Sequence, residues 1–124
     1  MMQPPFQAWL LQPGDPLPPL TLDRQLQGPT PGQWWLLALA PAGDSGLDQV
    51  AASVGGLAAV TCLAAAQDRD AAVARALGVW TGRSTLPCCV VTEPGGLVAG
   101  AWTGQTLLAA LDHAAAALRG WHTA

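Results

Sequence analysis

An uninterrupted apolar run, WWLLAL at residues 34–39, constrains the fold of this chain more than any other feature. Pro41 and Gly43 close the run, so its length is that of a strand rather than that of a buried helix. A strand that is apolar on both faces is covered by helices on both sides of its sheet, as in parallel sheets. We therefore predict a central parallel strand in an α/β domain.

A helix and a second strand are predicted directly after this run. Ser45 and Asp48 have the spacing of a helix cap, in which a carboxylate follows a hydroxyl three residues later, and Gly55 and Gly56 end the helix. The apolar run AAVTCL at residues 58–63 contains β-branched side chains and predicts a strand. Two strands joined by a helix of this length form a βαβ unit.

The next segment predicts another helix and a β-hairpin. Asp68 or Asp70 caps the helix, whose apolar residues recur at helical spacing as far as Trp80. Residues 88–92 and 97–102 are apolar runs on either side of a Glu-Pro-Gly-Gly turn, which predicts two antiparallel strands.

The two ends of the chain complete the predicted architecture. Residues 106–118 carry one apolar stripe and predict a helix that ends before Gly120. Most of the 11 prolines fall in the first 31 residues, which favours extended backbone there, with a short edge strand at residues 20–22. We expect an N-terminal arm at 1–12 and one domain at 13–120. Its element order β-α-β-α-β-β-α specifies a mixed four-stranded sheet flanked by helices.

Composition excludes several classes of protein. The 124 residues are 51% hydrophobic and 10% charged, which is typical of one folded domain and not of disorder. The formal net charge is −3, and the five basic residues are arginines scattered along the chain, so we expect no nucleic-acid partner. No apolar run has the length of a membrane span, and the N-terminus lacks the pattern of a secretory signal. We therefore expect a soluble, cytoplasmic protein without a membrane partner.

Three segments resemble the thioredoxin-fold superfamily, in its peroxiredoxin-like or thiol:disulfide oxidoreductase branch. PGDPLPPLTL at residues 13–22 is similar to the opening of that branch, and LPCCVVTEPGG at residues 86–96 is similar to its strand with an acidic turn. The resemblance implies a thioredoxin-like fold, in which Pro87 is a cis-proline beside the active site. Residues 34–48 resemble the strand, loop and helix that present the reactive cysteine.

The reactive cysteine itself is missing from that third segment. In the peroxiredoxin register, Pro41 and Ser45 match the proline and threonine of the motif, and Asp48 stands in place of the cysteine. In the thioredoxin register, Asp44 and Leu47 fall at the two sulfur positions. The resemblance assigns to Arg83 the position of the basic residue that peroxiredoxins hold against the thiolate. The resemblance thus implies a groove at Pro87, Asp44, Ser45, Asp48 and Arg83 without its nucleophile.

The three cysteines are Cys62, Cys88 and Cys89. The predicted sheet separates Cys62 from the other two by the central strand, and strand neighbours point to opposite faces, so we predict three free thiols. Free thiols fit a reducing compartment. Cys88 follows Pro87 and is the one candidate for catalysis, while buried, inert packing is the alternative interpretation.

Metal and cofactor chemistry find no support in the sequence. His113 lies opposite the apolar stripe of the last helix and His122 lies in the tail, and neither has ligand spacing to a cysteine. No serine has a histidine at the spacing of a hydrolase, and no glycine pair has the lysine of a phosphate loop. We expect no metal and no cofactor.

The chain contains six tryptophans, one phenylalanine and no tyrosine. Trp34 and Trp35 are predicted to face opposite sides of their strand, whereas Trp9 and Trp121 lie in the flanking segments. These terminal rings either fold back over the domain or form a homodimer contact.

Three functional hypotheses follow. The first is a peroxiredoxin-like protein without the standard catalytic cysteine, a non-catalytic or vestigial domain that binds a protein or small ligand at the groove. The second is a divergent thiol-dependent peroxidase or thiol-disulfide oxidoreductase that uses Cys88. The third is a structural or dimerisation module.

Overall fold

A computed structural model of the chain describes residues 11–18, 20 and 28–123. Four strands and three α-helices follow one another in the predicted order. They are β1 (Trp35–Ala40), α1 (Val50–Val54), β2 (Ala59–Ala64), α2 (Ala72–Leu77), β3 (Cys88–Thr92), β4 (Val98–Thr103) and α3 (Leu107–Thr123). Short 3-10 helices at Gly46–Gln49, Ala65–Gln67 and Arg69–Ala71 precede α1 and α2.

The four strands form one mixed sheet with the order β2-β1-β3-β4. Strand β1 runs parallel to β2 and antiparallel to β3, and β3 pairs antiparallel with β4. All six residues of β1 are buried, as predicted for the central strand. The α/β class and the thioredoxin-like arrangement expected from the sequence are therefore confirmed.

Alternation along β1 supplies two hydrophobic layers. Leu36, Ala38 and Ala40 lie in the layer that contains α1 and α3. Trp35, Leu37 and Leu39 lie in the opposite layer, which contains α2. Because neighbouring side chains of a strand point to opposite faces, the continuous apolar run is needed to fill both layers.

The helix ends correct two details of the predictions. The carboxylate of Asp68, and not that of Asp70, caps the start of α2. It accepts the backbone N–H groups of Val73 at 2.9 Å and Ala74 at 3.0 Å. Helix α3 continues through Gly120 to its last residue, Thr123. An interior glycine destabilises a helix by only about 1 kcal/mol, and packing of the last turn offsets this.

The described residues at 11–18 and 20, which precede β1, lie against strand β4. The Gly14 N–H donates to the Val98 carbonyl at 2.7 Å, and the Val98 N–H donates to the Asp15 carbonyl at 2.8 Å. Leu17 and Leu20 pack on the α2 side of the sheet. Thr21 and Leu22 of the predicted edge strand lie outside the described residues. None of the described helices is long and apolar enough to cross a membrane.

Candidate functional site

The loop after β1 is held in place by Asp44. One carboxylate oxygen accepts the Gly46 N–H at 2.8 Å, and the other accepts the Leu107 N–H at the start of α3, also at 2.8 Å. Ser45, predicted to cap the following helix, makes no such side-chain hydrogen bond, so that prediction is wrong. Asp44 supplies the acceptor because the turn begins at Gly46, two residues after it. One side chain thus connects the loop to a helix that is distant in sequence.

Two open grooves flank Pro41 and Ala42, at the carboxyl end of β1. We call the first the α3 groove; its volume is about 420 Å³, and its lining residues are Pro41, Ala42, Gly43, Asp44, Ser45, Gly46, Gln105, Thr106 and Leu108. We call the second the hairpin groove; its volume is about 340 Å³, and its lining residues are Pro41, Ala42, Ala65, Asp68, Ala71, Trp80, Arg83, Ser84 and Thr85. Both volumes are those of small ligand pockets.

The candidate residues named from the resemblance divide between these grooves. Asp44 and Ser45 line the α3 groove, and Arg83 lines the hairpin groove. Asp48 is exposed on the 3-10 helix Gly46–Gln49 and lines neither groove, and Pro87 also lies outside both. The structure therefore brings the carboxylate of Asp44 and the guanidinium of Arg83 to opposite sides of the Pro41 turn.

The expectation of a cis-proline at position 87 is wrong. The described part of the chain contains no cis peptide bond, so the bond before Pro87 is trans. The Leu86 N–H donates to the Val79 carbonyl at 2.9 Å, and the segment then runs directly into β3. A trans bond is the favoured form for such an extended entry into a strand.

The three cysteines are free, as predicted, and none lines either groove. Cys88 and Cys89 are fully buried on opposite faces of β3. Burial, and secondarily the neighbouring Cys89, raises the pKa of the Cys88 thiol. Burial, and secondarily Cys62, raises the pKa of Cys89 to about 12.

Cys62 is half-buried on the α1 side of the sheet. Its Sγ lies 3.9 Å from the Leu47 carbonyl oxygen, to which the thiol donates a weak hydrogen bond. Burial, and secondarily the negative charge of Asp48, raises the pKa of Cys62. In the sheet register Ala38 lies between Cys62 and Cys89, which explains why these two thiols do not form a disulfide.

A hairpin missed by the sequence analysis forms one wall of the hairpin groove. Trp80 was expected on the helix, but α2 ends at Leu77, and Trp80 pairs with Thr85 across a tight turn. The Thr81 N–H donates to the Ser84 carbonyl at 3.0 Å, and Gly82 adopts the positive φ of 94° that such turns require. The sequence TGRS, with glycine between polar residues, was the available signal.

An aromatic cluster at the end of the sheet opposite the two grooves holds the C-terminal tail against the domain. Trp34 stacks on Trp121 with ring centroids 5.3 Å apart, and Trp102 lies 6.2 Å from Trp121. His122 is exposed, and its Nε2 lies 2.8 Å from the Leu57 carbonyl oxygen. His113 is exposed, as expected, and Trp9 lies outside the described residues. No cluster of three metal-ligating side chains occurs among the described residues.

The element order, the sheet topology and the two grooves at the end of β1 define a thioredoxin-like α/β domain. Comparison with known protein families and with curated proteins gives no match. Solved structures do match: a peroxiredoxin Q of Xanthomonas campestris is 21% identical with a TM-score of 0.51, and the match covers 73% of this chain and 80% of that chain.

Two further solved structures have the same coverage of 73% and 80%. The first is the Xanthomonas campestris bacterioferritin comigratory protein, a protein with alkyl peroxide reduction activity, at 22% identity and a TM-score of 0.52. The second is a cysteine-to-serine mutant of the peroxiredoxin Q, also at 22% identity and a TM-score of 0.52. The chain therefore has the peroxiredoxin-like thioredoxin fold. At this identity the similarity extends to the fold alone.

Proposed function

We propose that this chain is a peroxiredoxin-like thioredoxin-fold domain without thiol catalysis, and that it binds a partner at the grooves beside Pro41. One observation carries the proposal: the loop where the resemblance places the reactive cysteine contains no cysteine, and the aspartates at its place in the two registers are Asp48, which is exposed, and Asp44, whose two carboxylate oxygens accept backbone N–H groups. A carboxylate cannot reduce peroxide, and that of Asp44 serves to join the loop to α3.

The environment of the three thiols also supports a non-catalytic protein. Thiol catalysis requires a thiolate that is accessible and stabilised, commonly by a cation or a helix N-terminus. Cys62 instead faces a carbonyl oxygen and the charge of Asp48, both of which favour the protonated thiol. Cys88, the candidate of the alternative hypothesis, has no solvent exposure and a raised pKa. A divergent peroxidase built on Cys88 is therefore disfavoured.

The dimerisation hypothesis is weakened by the aromatic cluster. Trp121, the ring available in the C-terminal segment, stacks on Trp34 of the same chain. We therefore propose that the C-terminal tail closes the domain. The proposal includes no cofactor and no nucleic acid, and it places the protein in the cytoplasm, where free thiols persist.

The experiment that tests the proposal is alkylation of the native protein from pH 6 to about pH 10, read by peptide mass spectrometry, with and without stoichiometric peroxide. We expect Cys62 to react first and only at alkaline pH, and Cys88 and Cys89 to react only after denaturation. Peroxide consumption should equal that of a variant in which all three cysteines are serine. Rapid alkylation of Cys88 below pH 8, together with its oxidation to a sulfenic acid, would refute the proposal and restore the enzyme hypothesis.

A further inference from the structure

The hairpin groove combines an apolar wall with the exposed guanidinium of Arg83, and a second arginine, Arg75, lies against the Trp80 ring that lines it. Its apolar side consists of Pro41, Ala42, Ala65 and Ala71, and Trp80 faces it from the hairpin. Trp80 is only partly buried, so a bound molecule can contact its ring. Burying part of an indole is among the larger hydrophobic gains available at a protein surface.

One arginine contacts this ring, and another lines the groove. The Arg75 guanidinium carbon is 5.9 Å from the Trp80 ring centroid, which is within the range of a cation–π contact. Arg83 lines the groove from the exposed tip of the hairpin. Neither guanidinium forms an ion pair with a carboxylate in the part of the chain that the structure describes.

Among the described residues, one carboxylate lines this groove, and its charge is already compensated. Asp68 is 7% exposed, and its two oxygens accept the N–H groups of Val73 and Ala74 at the start of α2. Its charge is therefore compensated by the first N–H groups of the helix.

The segment that supplies most of the lining of the groove, residues 68–85, differs in net charge from the chain as a whole. Residues 68–85 contain three of the five basic side chains but two of the eight acidic ones, whereas the formal net charge of the chain is −3. A basic patch on an acidic protein attracts an acidic partner and orients it on approach. Tryptophan and arginine are also the residues most often responsible for binding energy in protein interfaces.

We infer that the hairpin groove binds an acidic peptide segment of a partner protein. A carboxylate of the segment pairs with Arg83, and an adjacent apolar side chain lies on Trp80 and the alanine wall. The inference deepens the proposed function by naming the chemistry of the bound partner, but it does not depend on the state of the thiols. Loss of peptide binding and detection of peroxidase activity are separate results, so either idea can fail alone.

The test titrates the ¹⁵N-labelled full chain with three peptides that differ only in charge: acetyl-Glu-Leu-Glu-Leu-amide and its Gln and Lys counterparts. The Trp80 indole N–H signal is assigned with a Trp80→Phe variant. We expect the acidic peptide to shift this signal and the amides of residues 81–85, and the neutral peptide to bind at least about fivefold more weakly. Raising the salt concentration to about 0.5 M should weaken the acidic peptide further.

Matched arginine variants locate the site. Arg83→Gln should reduce the affinity for the acidic peptide about fivefold to tenfold, whereas Arg119→Gln, on the exposed face of α3, should leave it within about twofold. Both substitutions are at exposed positions, and an unchanged amide spectrum outside the hairpin verifies the fold. Equal binding of the neutral peptide, no shifts with the acidic peptide, or equal effects of the two variants would each overturn the inference. Free glutamate that reproduces the shifts at the same concentration would also overturn it, because the site would then take a small anion.

Discussion

Replacing Asp44 with alanine should destabilise the protein more than any other single change in the loop after β1. The substitution removes the acceptor for two backbone N–H groups, those of Gly46 and Leu107, each at 2.8 Å from a carboxylate oxygen. Hydrogen bonds to a charged group contribute about 1.5–3 kcal/mol each when buried, and this site is half-buried. We therefore expect a loss of about 2–4 kcal/mol in the free energy of unfolding, equivalent to a fall of roughly 10 °C in Tm.

Asparagine and a neighbouring acid provide the controls. Asp44→Asn keeps one acceptor oxygen and should lose about half as much stability as alanine. Asp48→Ala removes an exposed carboxylate and should change the free energy of unfolding by less than about 0.5 kcal/mol. The measurement is urea unfolding followed by circular dichroism. If Ser45 and Asp48 formed a capping box, Asp48→Ala would lower the free energy of unfolding more than Asp44→Ala. That result would refute the reasoning.

Three further predictions concern the rest of the fold. Gly100→Ala places a Cβ 2.5 Å from the Trp102 ring and should destabilise the protein by about 1–3 kcal/mol. Gly120→Ala meets open space inside α3 and should stabilise the protein by up to about 1 kcal/mol. Thermal unfolding compares the two variants. Asp68→Ala removes two buried hydrogen bonds to a carboxylate and should lose about 2–4 kcal/mol, measured by urea unfolding, and hydrogen exchange should become faster in α2. Because the folded state raises the pKa of Cys89 from 9.0 to about 12, the unfolded chain releases this proton first. Stability should thus fall as pH rises from about 9 towards 12, by at most about 1.4 kcal/mol per pH unit for this thiol, and Cys89→Ala should flatten that slope.

The main elements were predictable because local sequence and tertiary packing agree for them. The run at residues 34–39 became β1 with a shift of one residue, since only a strand can direct consecutive apolar side chains into two layers. The helix stop at Gly55 was also correct, because its left-handed conformation, with φ of 62°, is one that glycine adopts readily. In both cases the residues themselves carry the constraint.

The hairpin of residues 80–85 could not be predicted from the spacing of the apolar residues. Trp80 continues the helical spacing of the apolar residues before it, so the pattern alone extends the helix. The chain instead turns back, and Trp80 pairs with Thr85 beside Pro41. A spacing rule considers only the apolar pattern, and it misses the turn at Gly78, whose left-handed conformation with φ of 79° ends α2.

The functional residues divide in the same way. The sequence by itself determined that no cysteine occurs at residues 34–48 and that the three thiols lie on two strands separated by a third, because topology follows from the order of the elements. Only the tertiary structure decided that Asp44 bonds α3, that the peptide bond before Pro87 is trans and that Cys88 has no access to solvent. Hydrogen-bond partners, burial and the resulting thiol pKa depend on groups that are far apart in the chain. They are fixed only when helices and strands pack against one another.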